Sequence, residues 1–222
     1  MSLSRGPNSR GGALVTGAAH RIGRALALSL ARAGYAVAVH HRDHDADAQA
    51  LAEEIRQTGA RAAVVRADLA VEAQAAALAA AAGAALGPLT LLVNNASTFR
   101  DDRVGGLDRE TWDAHFEPNL RAPVVLAQAF AAQAFAAQTS EAADPLVINL
   151  LDQRVWKPNP QFFSYTLSKA ALWTATRMLA QALAPRVRVN AIGPGPTLPN
   201  SLQGEAGLQA EAAAIPLRRR TE

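Results

Sequence analysis

Zero cysteines in 222 residues exclude a disulfide frame and a thiolate metal site, and half the residues are apolar without any run of membrane-spanning character. A net charge of +3 and a pI near 9.9 would suit nucleic acid, but the basic residues are scattered and the one dense run is Arg218, Arg219 and Arg220, so neither a nucleic-acid nor a membrane partner is expected. The length fits one well-cored domain.

Residues 1–11 carry arginines but no apolar segment of signal-peptide type and read as a flexible leader. The run 12–16 (GALVT) ends in Gly17, and 21–33 follows with helical apolar spacing at Ile22, Leu26 and Leu30. Strand, glycine turn, helix is the opening unit. Within the turn, T-G-A-A-H-R-I-G, Gly17 permits close backbone approach and Gly23 lets the helix lie against the strand, so amides at the helix start can hold a pyrophosphate. An ordinary strand-to-helix connection uses the same glycines, so the turn alone decides nothing.

The second strand, 36–41, runs into Arg42, and the helix 45–58 ends at Gly59. In a dinucleotide-binding fold this strand's tip faces the adenosine ribose. Arg42, with His40 and His41 alongside, favours a 2'-phosphate there, while Asp43 is the competing diol-binding acid. His40, His41 and His44 make a poor metal set, because adjacent side chains of a strand point to opposite faces. No metal is expected.

A third strand (62–66) leads through Ala67, Asp68 and Leu69 to an alanine-rich helix (72–86), and a fourth (89–93) ends in Asn94-Asn95-Ala96-Ser97. Short apolar strands alternating with helices predict an α/β fold: a single-domain, doubly wound parallel sheet of Rossmann type, with helices on both faces. Ligands of such sheets bind at the carboxyl ends of the strands. Gly17, Arg42, Asp68, Asn95, Asp152 and Gly195 all fall at such ends.

Residues 111–137 predict a long helix kinked by Pro118 and Pro123, with Asn119 between them reading as the cap of a restarted helix. Strands are predicted at 146–150 and 187–191. The following G-P-G-P-T-L-P-N is too rich in proline and glycine for regular structure, and the Gly/Ala-rich remainder is expected to be mobile.

The chemistry concentrates in 152–169, DQRVWKPNPQFFSYTLSK. Tyr165 and Lys169 are four apart, which places them on one face of a helix starting near Phe163. The chain has only two lysines and two tyrosines, so the pairing is moderately specific. An ammonium beside a phenol is expected to lower the tyrosine's pKa from its free value of about 10, making Tyr165 a candidate general acid. Trp156 is placed by its position to cover the pocket.

These motifs together resemble the short-chain dehydrogenase/reductase family over 12–197: Thr16-Gly17 through Gly23, Asp68, Asn94-Asn95-Ala96, Asn119, Tyr165 with Lys169, and Pro194-Gly195. Arg21 replaces the family's usual second glycine, and Asp152 replaces its usual catalytic serine, thirteen residues before Tyr165. With the patterns T-G-x-x-x-R-x-G and N-N-A-S-x-F, both departures are similar to the pteridine reductase and dihydromonapterin reductase branch, which reduces pterins and in some members folates with NADPH.

That resemblance implies NADPH held by Gly17, Arg21, Ile22, Gly23, His41, Arg42, Asp68, Leu69, Asn95, Ala96, Ser97, Pro194 and Gly195, with Tyr165 and Lys169 at its reactive end. It implies a small-molecule pterin substrate contacted by Ser97, Asp152 and Tyr165 and stacked on Phe99, and a catalytic group of Asp152, Tyr165, Lys169 and Asn119, the last through a water relay. It further implies a cytoplasmic homotetramer or homodimer. Residues 198–222 are expected to form the substrate-loop region and C-terminal segment, without the last helix and strand usual in the family. Rival readings are a carbonyl or 3-oxoacyl reductase with Asp152 in the serine's place, and a cofactor-binding protein without turnover.

Overall fold

The structure, a computed structural model, describes residues 8–136, 144–199 and 204–220. Six strands, β1 (Gly12–Val15), β2 (Ala36–His41), β3 (Ala62–Arg66), β4 (Leu89–Asn94), β5 (Leu146–Leu150) and β6 (Arg188–Ile192), form one parallel sheet in the order β3-β2-β1-β4-β5-β6. Every residue of β1 and β2 is buried, as parallel strands covered on both faces require. The strand order reverses between β1 and β4, where Leu14 pairs with both Ala38 and Leu92. A crevice opens at such a reversal, outside the carboxyl ends of the two strands.

The helices α1 (Arg21–Arg32) and α2 (Asp45–Gln57) cover one face, packing Ala27, Leu28, Leu51 and Ile55 against Val15, Val37 and Val39. On the other face, α3 (Glu72–Leu86), α5 (Ala122–Ala136) and α6 (Phe163–Leu183) contribute Leu78, Leu126, Phe130 and Leu179 to a core with Leu14, Leu92 and Val147. Alanine-rich surfaces let α3 and α5 approach closely: a Cβ on Gly83 would lie 2.1 Å from Gln133 Nε2. The doubly wound architecture expected from the sequence is therefore present.

The long predicted helix is α4 (Arg109–Phe116), a π-helical turn over Glu117–Arg121 and α5, with Pro118 inside the wide turn and Pro123 just past it. Its expected last residue, Ala137, lies outside the described residues. Asn119 is not a cap; its side chain is fully buried and faces the loop after β4. β6 starts one residue later than expected.

Two other expectations need correction. Residues 204–214, expected to be mobile, form α7 (Gly204–Ala214), in which alanine's helix propensity and the burial of Leu208 and Ala212 outweigh the glycines. The described part of the expected leader, 8–11, is tied down by Arg10 N donating to Gly34 O and Arg61 N donating to Asn8 Oδ1; 1–7, 200–203 and 221–222 lie outside the described residues. Among the described residues no helix is long and apolar enough to cross a membrane.

Candidate active site

A cleft of about 490 Å³ runs along the carboxyl ends of the strands, and every site residue named above except Asn119 lines it. Its floor is the glycine turn. Gly17 has φ +60°, and a Cβ there would lie 2.9 Å from Ala96 Cα; one on Gly23 would lie 2.3 Å from Gly17 O. Both contacts are with backbone, so neither position accepts a side chain without moving the strand tips. Asn95 Nδ2 donates to Thr16 O (2.8 Å) and Gly17 O (3.1 Å), and Thr16 Oγ1 accepts from the amides of Asn95 and Ala96. The tips of β1 and β4 are thereby laced together.

His40 supports the turn from below. Its Nδ1 accepts from Gly17 N at 3.0 Å, so Nε2 carries the proton and donates to Ala67 O at 3.1 Å. Burial pushes its pKa down to about 4, so the ring is neutral near pH 7 and ties β1, β2 and β3 together. This role was not read from the sequence, although burial at every position of β2 is the pattern that points to it. His41 differs: it is buried, its Nε2 is 3.3 Å from Asp45 without hydrogen-bond alignment, and neither ring nitrogen has a partner. Arg42 Nε donates to Asp43 at 2.5 Å, which raises the guanidinium's pKa and holds Asp43 below the usual carboxylate range. The competing acid is thus already engaged by its neighbour. His40, His41 and His44 do not converge; the one grouping of metal-ligating side chains among the described residues is His20, His44 and Asp47 on the exposed rim.

Arg21 adopts φ +51°, the left-handed conformation that glycine would take without strain, and its Nη2 donates to Leu198 O at 3.1 Å. The arginine therefore keeps the turn a glycine would make while reaching across the cleft.

Tyr165 and Lys169 emerge one turn apart from the start of α6, both buried. Tyr165 OH donates to Asp152 Oδ2 at 2.9 Å, and Asp152 Oδ1 accepts from Arg154 N at 2.8 Å, heading a short 3-10 turn over Gln153–Val155. Lys169 Nζ donates to Leu150 O at 2.8 Å and lies 5.9 Å from the centre of the tyrosine ring. The expected lowering of the tyrosine's pKa does not occur here: burial, then the charge of Asp152 and its hydrogen bond, push it well above 10. The carboxylate is in contact and the ammonium is not. Burial also pushes Lys169 down to about 8, against the pull of Asp152.

Phe99 stacks on Phe162 with centroids 4.3 Å apart and meets Tyr165 edge-on at 4.7 Å. Its loop is held by three buried groups. Asn119 clamps Thr98, accepting from its amide at 2.8 Å and donating to its carbonyl at 3.0 Å, and completes its four bonds with Ser97 Oγ and Ser168 Oγ. His115 Nε2 accepts from Arg100 N at 2.9 Å, so its Nδ1–H donates to Ser164 Oγ at 2.6 Å. Ser164 Oγ in turn donates to Asp102, which also accepts from Ser164 N at 3.2 Å. Phe162, the N-cap of α6, supplies no capping side chain, and Asp102 does so from 62 residues away. No spacing rule reaches across that separation, which is why Asp102, His115, Phe162 and Ser164 were not singled out in the sequence. Trp156, expected over the pocket, instead lies exposed against Trp173 and does not line the cleft.

The model of the short chain dehydrogenase family matches residues 12–207. A short-chain type dehydrogenase/reductase from Picea abies is 32% identical over 93% of this chain and 79% of its own length. The 3-oxoacyl acyl-carrier-protein reductase FabG of Staphylococcus aureus is 34% identical over 82% of this chain and 73% of its own. Among solved structures, FolM alternative dihydrofolate reductase 1 from Brucella canis, complexed with NADP, superposes with a TM-score of 0.88 at 48% identity, covering 96% of this chain and 82% of that one. The Brucella suis counterpart, also with NADP, gives 0.86 at 49% identity. With the family model matching over most of its length, the chain belongs to the short-chain dehydrogenase family.

Proposed function

We propose that this protein is an NADPH-dependent reductase that converts a dihydropterin to the tetrahydropterin, with dihydrofolate as a further, less favoured substrate. The carrying observation is the contact of Tyr165 OH with an aspartate, Asp152, beside the Phe99 ring at one end of the cleft. The likeness to the FolM reductases, at 48% and 49% identity, supports this reading over a 3-oxoacyl reductase, to which the likeness is 34%.

The residues present fit the cofactor. Gly17 and Gly23 let the tips of β1 and β4 and the start of α1 close together into a tight turn at the cleft floor, the buried ring nitrogens of His41 lack hydrogen-bond partners, and Arg42 has guanidinium donors beyond the one given to Asp43. NADPH, when bound, supplies the hydride. Arg42 and His41 would face its 2'-phosphate, and Lys169, two of whose three donors remain beyond Leu150 O, would hold the nicotinamide ribose.

On the protein side the chemistry is a proton transfer. Tyr165 stays protonated, because burial and the Asp152 carboxylate raise its pKa, and with Asp152 it forms the proton-donating pair: the phenol, or Asp152 through water, protonates the substrate nitrogen beside the reduced carbon. Asp152 orients that phenol and, through water, returns a proton to it. Asn119 and the Asp102–Ser164–His115 chain keep Phe99 and Tyr165 in fixed relation. We further read the protein as a cytoplasmic homotetramer or homodimer, which light scattering after gel filtration would test. The decisive assay is NADPH oxidation with dihydrobiopterin, dihydromonapterin and dihydrofolate beside a panel of ketones. Turnover of pterins is expected; turnover of ketones alone would overturn the pterin reading.

A further inference from the structure

One ion pair in the cleft has no part in the proton transfer. Arg154 Nη2 donates to Glu211 Oε1 at 3.1 Å, with side chains only 11% and 30% exposed. Glu211 belongs to α7 and Arg154 to the turn headed by Asp152, and both line the cleft. The guanidinium lies 4.9 Å from the centre of the Phe162 ring, which stacks on Phe99. The pair therefore stands behind the aromatic platform, at the substrate end.

A half-buried guanidinium with a planar fork of donors is a natural receptor for a carboxylate, which it grips with two parallel bonds. Glu211 already accepts from one arm of that fork, Nη2. Its carboxylate offsets the charge of the guanidinium, so a second anion entering here meets a neutralised pair rather than a free cation. An uncharged ligand loses nothing by that neutralisation.

We propose that Glu211, by capping Arg154, is a specificity-determining residue that favours pterins with an uncharged side chain over those whose tail ends in carboxylates, the folates. The inference rests on the pterin reading above. It assigns α7 a discriminating role, and it makes Arg154 a latent carboxylate site.

The test is kcat/KM for dihydrofolate and for dihydrobiopterin in the wild type, in Glu211→Gln and Glu211→Ala, and in Glu211→Gln combined with Arg154→Met. Glutamine preserves the shape of the pair and alanine favours the helix, so the two single variants guard against a folding artefact. The ratio of dihydrofolate to dihydrobiopterin should rise at least tenfold in both single variants, that gain should shrink as salt is added, and the double variant should return to the wild-type ratio. If both substrates change by the same factor, the pair is only a latch on α7 and the proposal fails while the pterin reading stands. If the wild type turns over neither substrate, the pterin reading fails and takes the proposal with it.

Discussion

Arg21 isolates the cost of keeping a side chain where the turn demands a left-handed residue. At φ +51° a residue with a Cβ loses about 1–2 kcal/mol relative to a right-handed conformation. Glycine avoids that strain but gives the unfolded chain extra freedom amounting to about 0.4–1 kcal/mol. Arg21→Gly should therefore be more stable than Arg21→Ala by roughly 0.5–1 kcal/mol, the reverse of the usual order of these two residues in helices. The wild type keeps the strain but also keeps the solvent-exposed bond to Leu198 O at 3.1 Å. Such a bond contributes about 0.5–1 kcal/mol, so the wild type should lie close to Arg21→Gly, with Arg21→Ala lowest. Urea unfolding midpoints at constant slope measure the order, and NADPH titration of the same samples should show both variants weakened alike. Alanine as stable as glycine would refute the strain argument, and wild-type NADPH affinity in both variants would refute the binding role.

Three further outcomes follow from the same geometry. Tyr165→Phe should cut turnover by about 10²–10⁴ while changing NADPH affinity little, and near-normal rates would remove the phenol from the proton transfer. Arg42→Ala should raise the KM for NADPH by at least about tenfold yet leave that for NADH nearly alone; equal weakening would argue against 2'-phosphate recognition. Lys169 is pushed from 10.5 to about 8, so between those values the unfolded chain binds more protons than the folded one. Stability should accordingly rise as pH climbs from about 8 toward 10.5, the burial penalty being present in full below 8, while kcat/KM falls on an alkaline limb near 8 as the ammonium is lost. Denaturant midpoints and a pH–rate profile check the two halves, and an alkaline limb near 10 would contradict the burial of that ammonium.

The cofactor half of the cleft was legible in the sequence because its determinants are local. Gly17, Arg21 and Gly23 lie within one turn, Tyr165 and Lys169 within another, and β2 ends directly at Arg42. The substrate half was less legible. Phe99 and Asp152 stand out only through resemblance, and the groups that hold them act across distances no periodicity records, such as Asp102 on Ser164 and Arg154 on Glu211. Propensity also misjudged 204–214, where glycine content was read as mobility although alanine and two buried contacts favour a helix. The tyrosine's pKa went astray for a related reason. Spacing placed Lys169 on the right face, but only the structure shows its ammonium turned to Leu150 O and a carboxylate in the phenol's contact shell.

This division has a consequence for how the two halves respond to change. In the glycine turn a Cβ on Gly23 or Gly17 would lie 2.3 or 2.9 Å from backbone that no flexible neighbour can relieve, so these positions tolerate little variation. The substrate end is bounded by α7, whose grip on the cleft comes from Leu208 and the Glu211–Arg154 pair. A single substitution there alters the charge presented to a substrate without touching the sheet, the glycine turn or the Tyr165–Asp152 contact. If the proposed roles hold, selectivity is set where α7 meets Arg154, and its link to the proton-transfer pair is the backbone bond from Arg154 to Asp152.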